Sequence, residues 1–275
     1  MNRIKIVVDS SSNLTALEGV SFACAPLKII TADKEYTDTA ALDVNDMVNT
    51  LYRYNGKSST SCPNVNDWLD AFGDAENIVC LTITSALSGS YNSAFKAKQA
   101  YEAAHSDRRV LVIDTLSAGP EIALMAEKCR KLIEAGRSLD EIAKELTTYK
   151  TELLFILESM KNLANNGRIS KFSAAAAGVL GVRAIGKASD KGTLEMLSKC
   201  RGSSKAADML WQHTKSLGYN GGKIRISHCQ NKDFANTFAE KISAEFPDAQ
   251  IFTEECRALC SFYAEKGGLL VGFEV

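Results

Sequence analysis

Ile78-Val-Cys-Leu-Thr-Ile83, Thr84-Ser-Ala-Leu-Ser-Gly-Ser90 and Tyr91-Asn-Ser-Ala-Phe-Lys-Ala-Lys-Gln-Ala-Tyr101 follow one another without a break. The first piece is short, apolar and rich in β-branched residues, the mark of a buried strand. The third is alanine-rich with Gly and Ser at its head, which predicts a helix. Between them stand the hydroxyls of Thr84, Ser85, Ser88 and Ser90, with Gly89 to let backbone approach a ligand closely. A strand whose polar turn opens a helix aims unpaired N–H groups and partial positive charge at that turn, which suits an anion. A single Ser there reads equally well as a helix cap, but four hydroxyls exceed what one cap needs.

The same grammar extends on both sides. Residues 4–8 read as a first strand ending in the polar turn Asp9-Ser-Ser-Ser12, where Asp9 suits a turn-closing cap or a metal or hydroxyl partner. Residues 26–30 read as a second strand with Pro26 at its start. A helix over about 44–54, capped near Asp43, precedes a second hydroxyl cluster, Lys57-Ser-Ser-Thr-Ser-Cys-Pro63, which reads as a loop before a helix carrying Trp68, Leu69 and Phe72. A strand at 109–114 leads to a long helix ended by Gly136, and Ser138-Leu-Asp-Glu141 is a capping box for the next. Residues 1–150 therefore predict an open, mostly parallel α/β sheet domain with its ligand at the carboxyl ends of strands. No Gly-x-Gly-x-x-Gly fingerprint follows the first strand, so a dinucleotide is not expected.

From about residue 151 the pattern changes. A strand at 152–157 is followed by a short helix with Met160 and Leu163, then an alanine-rich segment at 173–179. Two extended pieces, 182–188 and 193–199, join at Asp190-Lys-Gly192 as a hairpin. Helices over 203–217 and 233–245 bracket a strand at 223–228, and strands at 250–253 and 269–273 close the chain. Residues 151–275 thus read as an α+β domain with a mixed sheet, giving an α/β chain of two domains with the ligand between them.

A net charge of −1 over 275 residues offers no footprint for nucleic acid or an anionic membrane. No apolar run reaches spanning length, and the opening residues read as a strand rather than a signal peptide, so a cytoplasmic protein without membrane insertion is expected. Eight cysteines form no Cys-x-x-Cys pair and only three histidines accompany them; Cys256 and Cys260, one helical turn apart, are the sole weak metal candidate. Neither metal nor cofactor is expected. Gly181-Val-Arg-Ala-Ile-Gly-Lys187 has P-loop spacing, but Ala188 stands where magnesium needs a hydroxyl and the segment reads as extended. Ser88 as nucleophile of an acyl hydrolase or transferase is an alternative, with His228 and Asp114 as triad partners, although Ala86-Leu-Ser-Gly-Ser90 lacks the first glycine of a nucleophile elbow. A phosphate- or sugar-binding module built on the same turn is another.

Taken together, Asp9-Ser-Ser-Ser-Asn-Leu14, Pro26-Leu-Lys-Ile29, Tyr36-Thr-Asp38, Thr60-Ser-Cys-Pro63, the Ile83–Ala94 stretch, Asp114-Thr115 with Ser117-Ala-Gly119, Gly167-Arg-Ile-Ser170 and Gly268-Leu-Leu-Val-Gly-Phe273 resemble, end to end, the DegV family. The resemblance implies a two-domain, non-enzymatic protein that holds one long-chain fatty acid between its domains. In the best-understood branch the carboxylate is presented to an ATP-binding kinase subunit that makes an acyl phosphate. By resemblance Thr60, Ser61 and Ser88 give hydroxyls to the carboxylate, Gly89 and helix amides assist, and Arg168 is the charged member. Arg201 resembles the arginine that engages the kinase. The tail is expected in an apolar tunnel in the second domain, lined by Phe155, Leu157, Met160, Leu163 and the 172–180 segment beginning at Phe172. Two departures stand out. Kinase-coupled members carry a histidine in an Ala-His-x-Gly-Pro-Gly pattern where this chain has Ala264-Glu-Lys-Gly-Gly268, and many have Lys-Pro near Gly181-Val-Arg-Ala184. Glu265, when ionised, cannot donate and repels a nearby carboxylate.

Overall fold

Strand β1 (Ile4–Asp9) alternates its side chains between two helical layers, which is why four of its six residues are Ile or Val. Ile6 and Val8 join Val79 and Leu81 beneath the helices Pro120–Glu134 and Leu139–Thr148. Val7 faces the other way, with Ile78 and Cys80, against the helices Val65–Phe72 and Ser90–Ala104. In this computed structural model, which describes residues 4–169 and 181–275, β1 pairs in parallel with β2 (Ser21–Ala25) and β6 (Asn77–Thr82). Strand β7 (Arg109–Asp114) completes the order β2-β1-β6-β7.

Two details differ from the sequence reading. The second strand of the parallel sheet is β2, not residues 26–30. Pro26, which lacks an N–H, follows β2 directly, and the chain leaves that sheet there. Strand β3 (Lys28–Ile30) instead builds a separate antiparallel sheet, ordered β4-β3-β5, with β4 (Glu35–Thr37) and β5 (Ser59–Ser61). The segment read as a hydroxyl-rich loop is thus partly a strand. The helix Val44–Arg53 and the capping box at Ser138 stand where expected, and Asn64 forms a second capping box.

The remaining strands form one mixed sheet. They are β8 (Thr151–Leu157), β9 (Val182–Ala188), β10 (Leu194–Arg201), β11 (Lys223–His228), β12 (Gln250–Glu255) and β13 (Leu269–Glu274), ordered β10-β9-β8-β13-β11-β12. Only β11 and β12 run parallel. The P-loop-spaced segment lies in β9 and is extended. The helices Ser203–Ser216 and Lys232–Glu245 cover one face of this sheet. A seven-residue helix, Ala258–Ala264, was not anticipated; its first amides, of Ala258 and Leu259, donate to the Asp38 carboxylate at 3.1 and 2.9 Å. Among the described residues no helix is long and apolar enough to cross a membrane. The alanine-rich 173–179 segment lies outside the described residues.

Helix Pro120–Glu134 joins the two sheets. It packs on β1 and β6 on one side and on β8, β11 and β13 on the other. Gly272 of β13 permits the approach, since a Cβ there would sit 2.6 Å from the Glu121 nitrogen. Further along the helix, buried Glu127 is salt-bridged to both Lys223 and Arg225 of β11, and Arg225 also reaches Glu254 at 2.6 Å. Removing the carboxylate strands buried Lys223 and leaves Arg225 with Glu254 alone. Glu127→Ala is expected to lower unfolding free energy by about 3–5 kcal/mol, read from urea denaturation.

Candidate functional site

Asp9, the last residue of β1, is fully buried and ties the turn at 84–90 together. Its Oδ2 accepts from Ile83 N at 2.9 Å and Ser90 Oγ at 2.6 Å, while Oδ1 accepts from Ser11 N at 3.2 Å and from Ser11 Oγ. Asp9 therefore clamps both ends of the turn at 84–90. Within the turn, Leu87 N and Ser88 N both donate to Thr84 O at 3.2 Å, and Ser88 Oγ accepts from Ser90 N at 3.2 Å. Gly89 is the N-cap of helix Ser90–Ala104 and no side chain caps it. Ser88 Oγ takes the first helical amide, that of Ser90, and the Ser90 hydroxyl donates to Asp9, while the helix start keeps its anion-favouring dipole end.

The second hydroxyl cluster meets the first. Thr60 and Ser61 lie on β5 opposite Ile29 and Lys28 of β3. Cys62, the next residue, abuts the turn so closely that a Cβ on Gly89 would lie 3.2 Å from its Sγ. Arg168 follows the helix Lys161–Asn165; its backbone N–H donates to Leu163 O at 2.9 Å and its guanidinium to Asn166 O at 2.6 Å.

These segments wall a cavity of about 290 Å³. Thr60, Ser61, Ser88, Gly89 and Arg168 all line it, as do Phe155, Leu157 and Leu163. Met160 is not in the wall; it packs in the hydrophobic cluster around Leu163. Phe172 lies outside the described residues. Arg201 is exposed at the end of β10, away from the cavity. The wall is also not confined to residues 151–275. Leu27, Ile83 and Ala118 contribute to it.

Tyr263, Leu259 and Leu270 line the cavity and were missed by the sequence reading. The run Ala258-Leu-Cys-Ser-Phe-Tyr-Ala264 carries no polar face, so nothing marks one of its rings as a site residue. The Tyr263 hydroxyl lies 2.7 Å from Thr60 Oγ1. Burial pushes the Tyr263 phenol upward, opposed by the Thr60 hydrogen bond and the Arg168 charge, so it keeps its proton at neutral pH. Glu265 is turned away. Its carboxylate accepts from Asn162 N at 2.9 Å, and it is absent from the cavity wall.

Among the described residues no base stands beside Ser88. Asp114 accepts from the amides of Ser85 and Leu116 at 3.1 and 3.2 Å, and a His228 ring nitrogen faces Asn231 N at 3.4 Å; neither residue lines the cavity. Among the described lining residues Arg168 alone carries a charge. The described residues contain no cluster of three metal-ligating side chains, and the Cys260 thiol faces Ser11 O at 3.2 Å. The arrangement offers donors to an anion and an apolar wall to what the anion is attached to.

The family model described as "Uncharacterised protein, DegV family" matches residues 3–274. A DegV domain-containing protein of Streptococcus pneumoniae is 42% identical over 277 residues, covering 98% of this chain and 99% of that protein. Among solved structures, the Streptococcus pneumoniae Fatty Acid Kinase (Fak) B3 protein loaded with linoleic acid superposes with TM-score 0.96 at 42% identity, covering 99% of each chain. A DegV family protein from Eubacterium eligens loaded with heptadecanoic acid does so with TM-score 0.96 at 39% identity, again over 99% of each.

Burial lifts the carboxyls of Asp9 and Asp38 above the ordinary aspartate range, against their hydrogen-bond donors. Between the ordinary value near 4 and the folded values, the native state therefore holds protons that the unfolded chain has released. This contribution to stability is fully present below about pH 4 and is lost as pH rises through the folded values. Asp38→Asn is expected to flatten the decline of the urea midpoint with rising pH, measured from about pH 4 to 7 against the wild type.

Proposed function

This chain belongs to the DegV family, and we propose that it binds one long-chain fatty acid, with the carboxylate held by Thr60, Ser61, Ser88, Gly89 and Arg168. The observation that carries the reading is a largely apolar cavity with one cation and hydroxyls from separate elements in its wall. A carboxylate leaving water needs donors, and those to an ionised group are the strong ones. An alkyl chain needs only apolar wall, at about 0.8 kcal/mol per buried methylene. We assign the head-group hydroxyls to a first domain, residues 1–150, and most of the tail wall, including Phe155, Leu157 and Leu163, to a second, residues 151–275. Met160 supports that wall from behind, and Phe172 is assigned to the tail by family resemblance.

The protein performs no covalent step in this reading, since among the described residues no base stands beside Ser88. Its similarity to a fatty acid kinase protein supports a cytoplasmic role in presenting the carboxylate to an ATP-binding kinase subunit, with exposed Arg201 as a contact. Glu265 does not oppose head-group binding, because its charge is spent on the helix at Asn162.

Extraction of the purified protein followed by mass spectrometry is expected to release one fatty acid per chain. Delipidated protein that takes up no long-chain acid would defeat the reading. Arg168→Met is expected to weaken fatty-acid binding about 10- to 100-fold, and Ser88→Ala about tenfold, both by isothermal titration. The wild-type protein is expected to turn over no acyl esters.

A further inference from the structure

We propose that Tyr263 is a positioning residue for the head group: its phenol donates to Thr60 Oγ1 and so commits the Thr60 hydroxyl hydrogen to the bound carboxylate. This rests on the fatty-acid reading above and adds to it a residue outside the two hydroxyl clusters.

The geometry is a 2.7 Å contact between two hydroxyls, in which either oxygen is able to donate. Each hydroxyl has one hydrogen. If Thr60 spends its hydrogen on Tyr263, it shows the incoming anion only lone pairs, and the contact becomes repulsive. If Tyr263 donates instead, the Thr60 hydrogen is free for the carboxylate, and two hydrogen bonds point the same way along a short chain that polarises them both. The orientation of one internal bond thus decides whether Thr60 attracts or repels the ligand. An ionised carboxylate, which accepts and never donates, selects the second arrangement.

Tyr263 is placed to hold that role. Its helix is fixed by the Asp38 carboxylate at the first amides, and its ring packs edge-on against Phe262 at 4.9 Å between centroids. Thr60 is fixed on the paired strand β5. The positive charge of Arg168 acts on the phenol, so the three groups share one patch of the cavity wall. A fatty alcohol, which brings its own hydrogen, binds either arrangement. The Tyr263–Thr60 pair should therefore discriminate acid from alcohol.

The test titrates delipidated wild type, Tyr263→Phe, Thr60→Val and the double variant with hexadecanoic acid carrying a carbon-13 carboxyl, and with hexadecanol. Tyr263→Phe is expected to weaken acid binding about tenfold while leaving the alcohol within about twofold. The double variant should bind acid no worse than Thr60→Val alone, since the phenol acts only through Thr60. The bound carboxyl should titrate at higher pH in Tyr263→Phe than in wild type. Equal losses for acid and alcohol, additive losses, or an unmoved carboxyl titration would each overturn the assignment. If Tyr263→Phe does not fold, 3-fluorotyrosine at position 263 keeps the shape and strengthens the donor. At about pH 6, well below the phenol range, it should tighten acid binding, and unchanged or weaker binding overturns the proposal. Wild type that binds neither ligand defeats the fatty-acid reading itself, an outcome distinct from a variant that binds as wild type does.

Discussion

Helix Pro120–Glu134 is clamped between two sheets, and the position of the cavity follows from that constraint. Few helices in a protein this size are buried on nearly every side, and this one manages it because its exposed-looking charges are internally matched. Glu127 reaches two cations of β11, while Glu121 takes hydrogen bonds from Ser117 and Thr151. Gly272 then lets the start of the helix lie directly on β13. With that helix fixed, the turn after β6 looks onto the part of the same β8–β13 face that the helix does not cover. The space between them is the cavity.

The polar part of its wall is assembled from pieces that share no local structure. A strand of a three-stranded sheet brings Thr60 and Ser61. The β6 turn brings Ser88 and Gly89, and a loop after a five-residue helix brings Arg168. Asp9 and Asp38, neither of which lines the cavity, do the assembling: one clamps the turn, the other the helix that carries Tyr263. Both are carboxylates buried at a cost and satisfied by several donors each, which is the arrangement expected when a buried charge is kept for the order it imposes.

Much of this was legible in the residues. The strand–turn–helix unit at 78–101 gave the parallel sheet, and the two hydroxyl clusters ahead of helices marked the segments that supply Thr60, Ser61 and Ser88 to the cavity wall. The break at Pro26 was harder to read. Residues 21–30 are one mildly apolar run, and only the missing proline N–H separates two sheets within it. β5 was hidden because Ser and Thr in a row signal a loop far more often than a strand of three. Tyr263 carried no local signal, since the difference between a core ring and a wall ring is what lies across from it. Met160 and Leu163 show the same limit from the other side: similar residues, three apart, one behind the wall and one in it.

Thr60 stands on a hydrogen-bonded strand and not on a free loop. A hydroxyl on a loop must be immobilised each time a ligand arrives, and that loss of freedom is subtracted from the affinity. The hydroxyl at position 60 was immobilised once, when β5 docked beside β3. On the proposed reading a visiting acid inherits that order, so this part of the cavity wall should keep its shape between one passenger and the next.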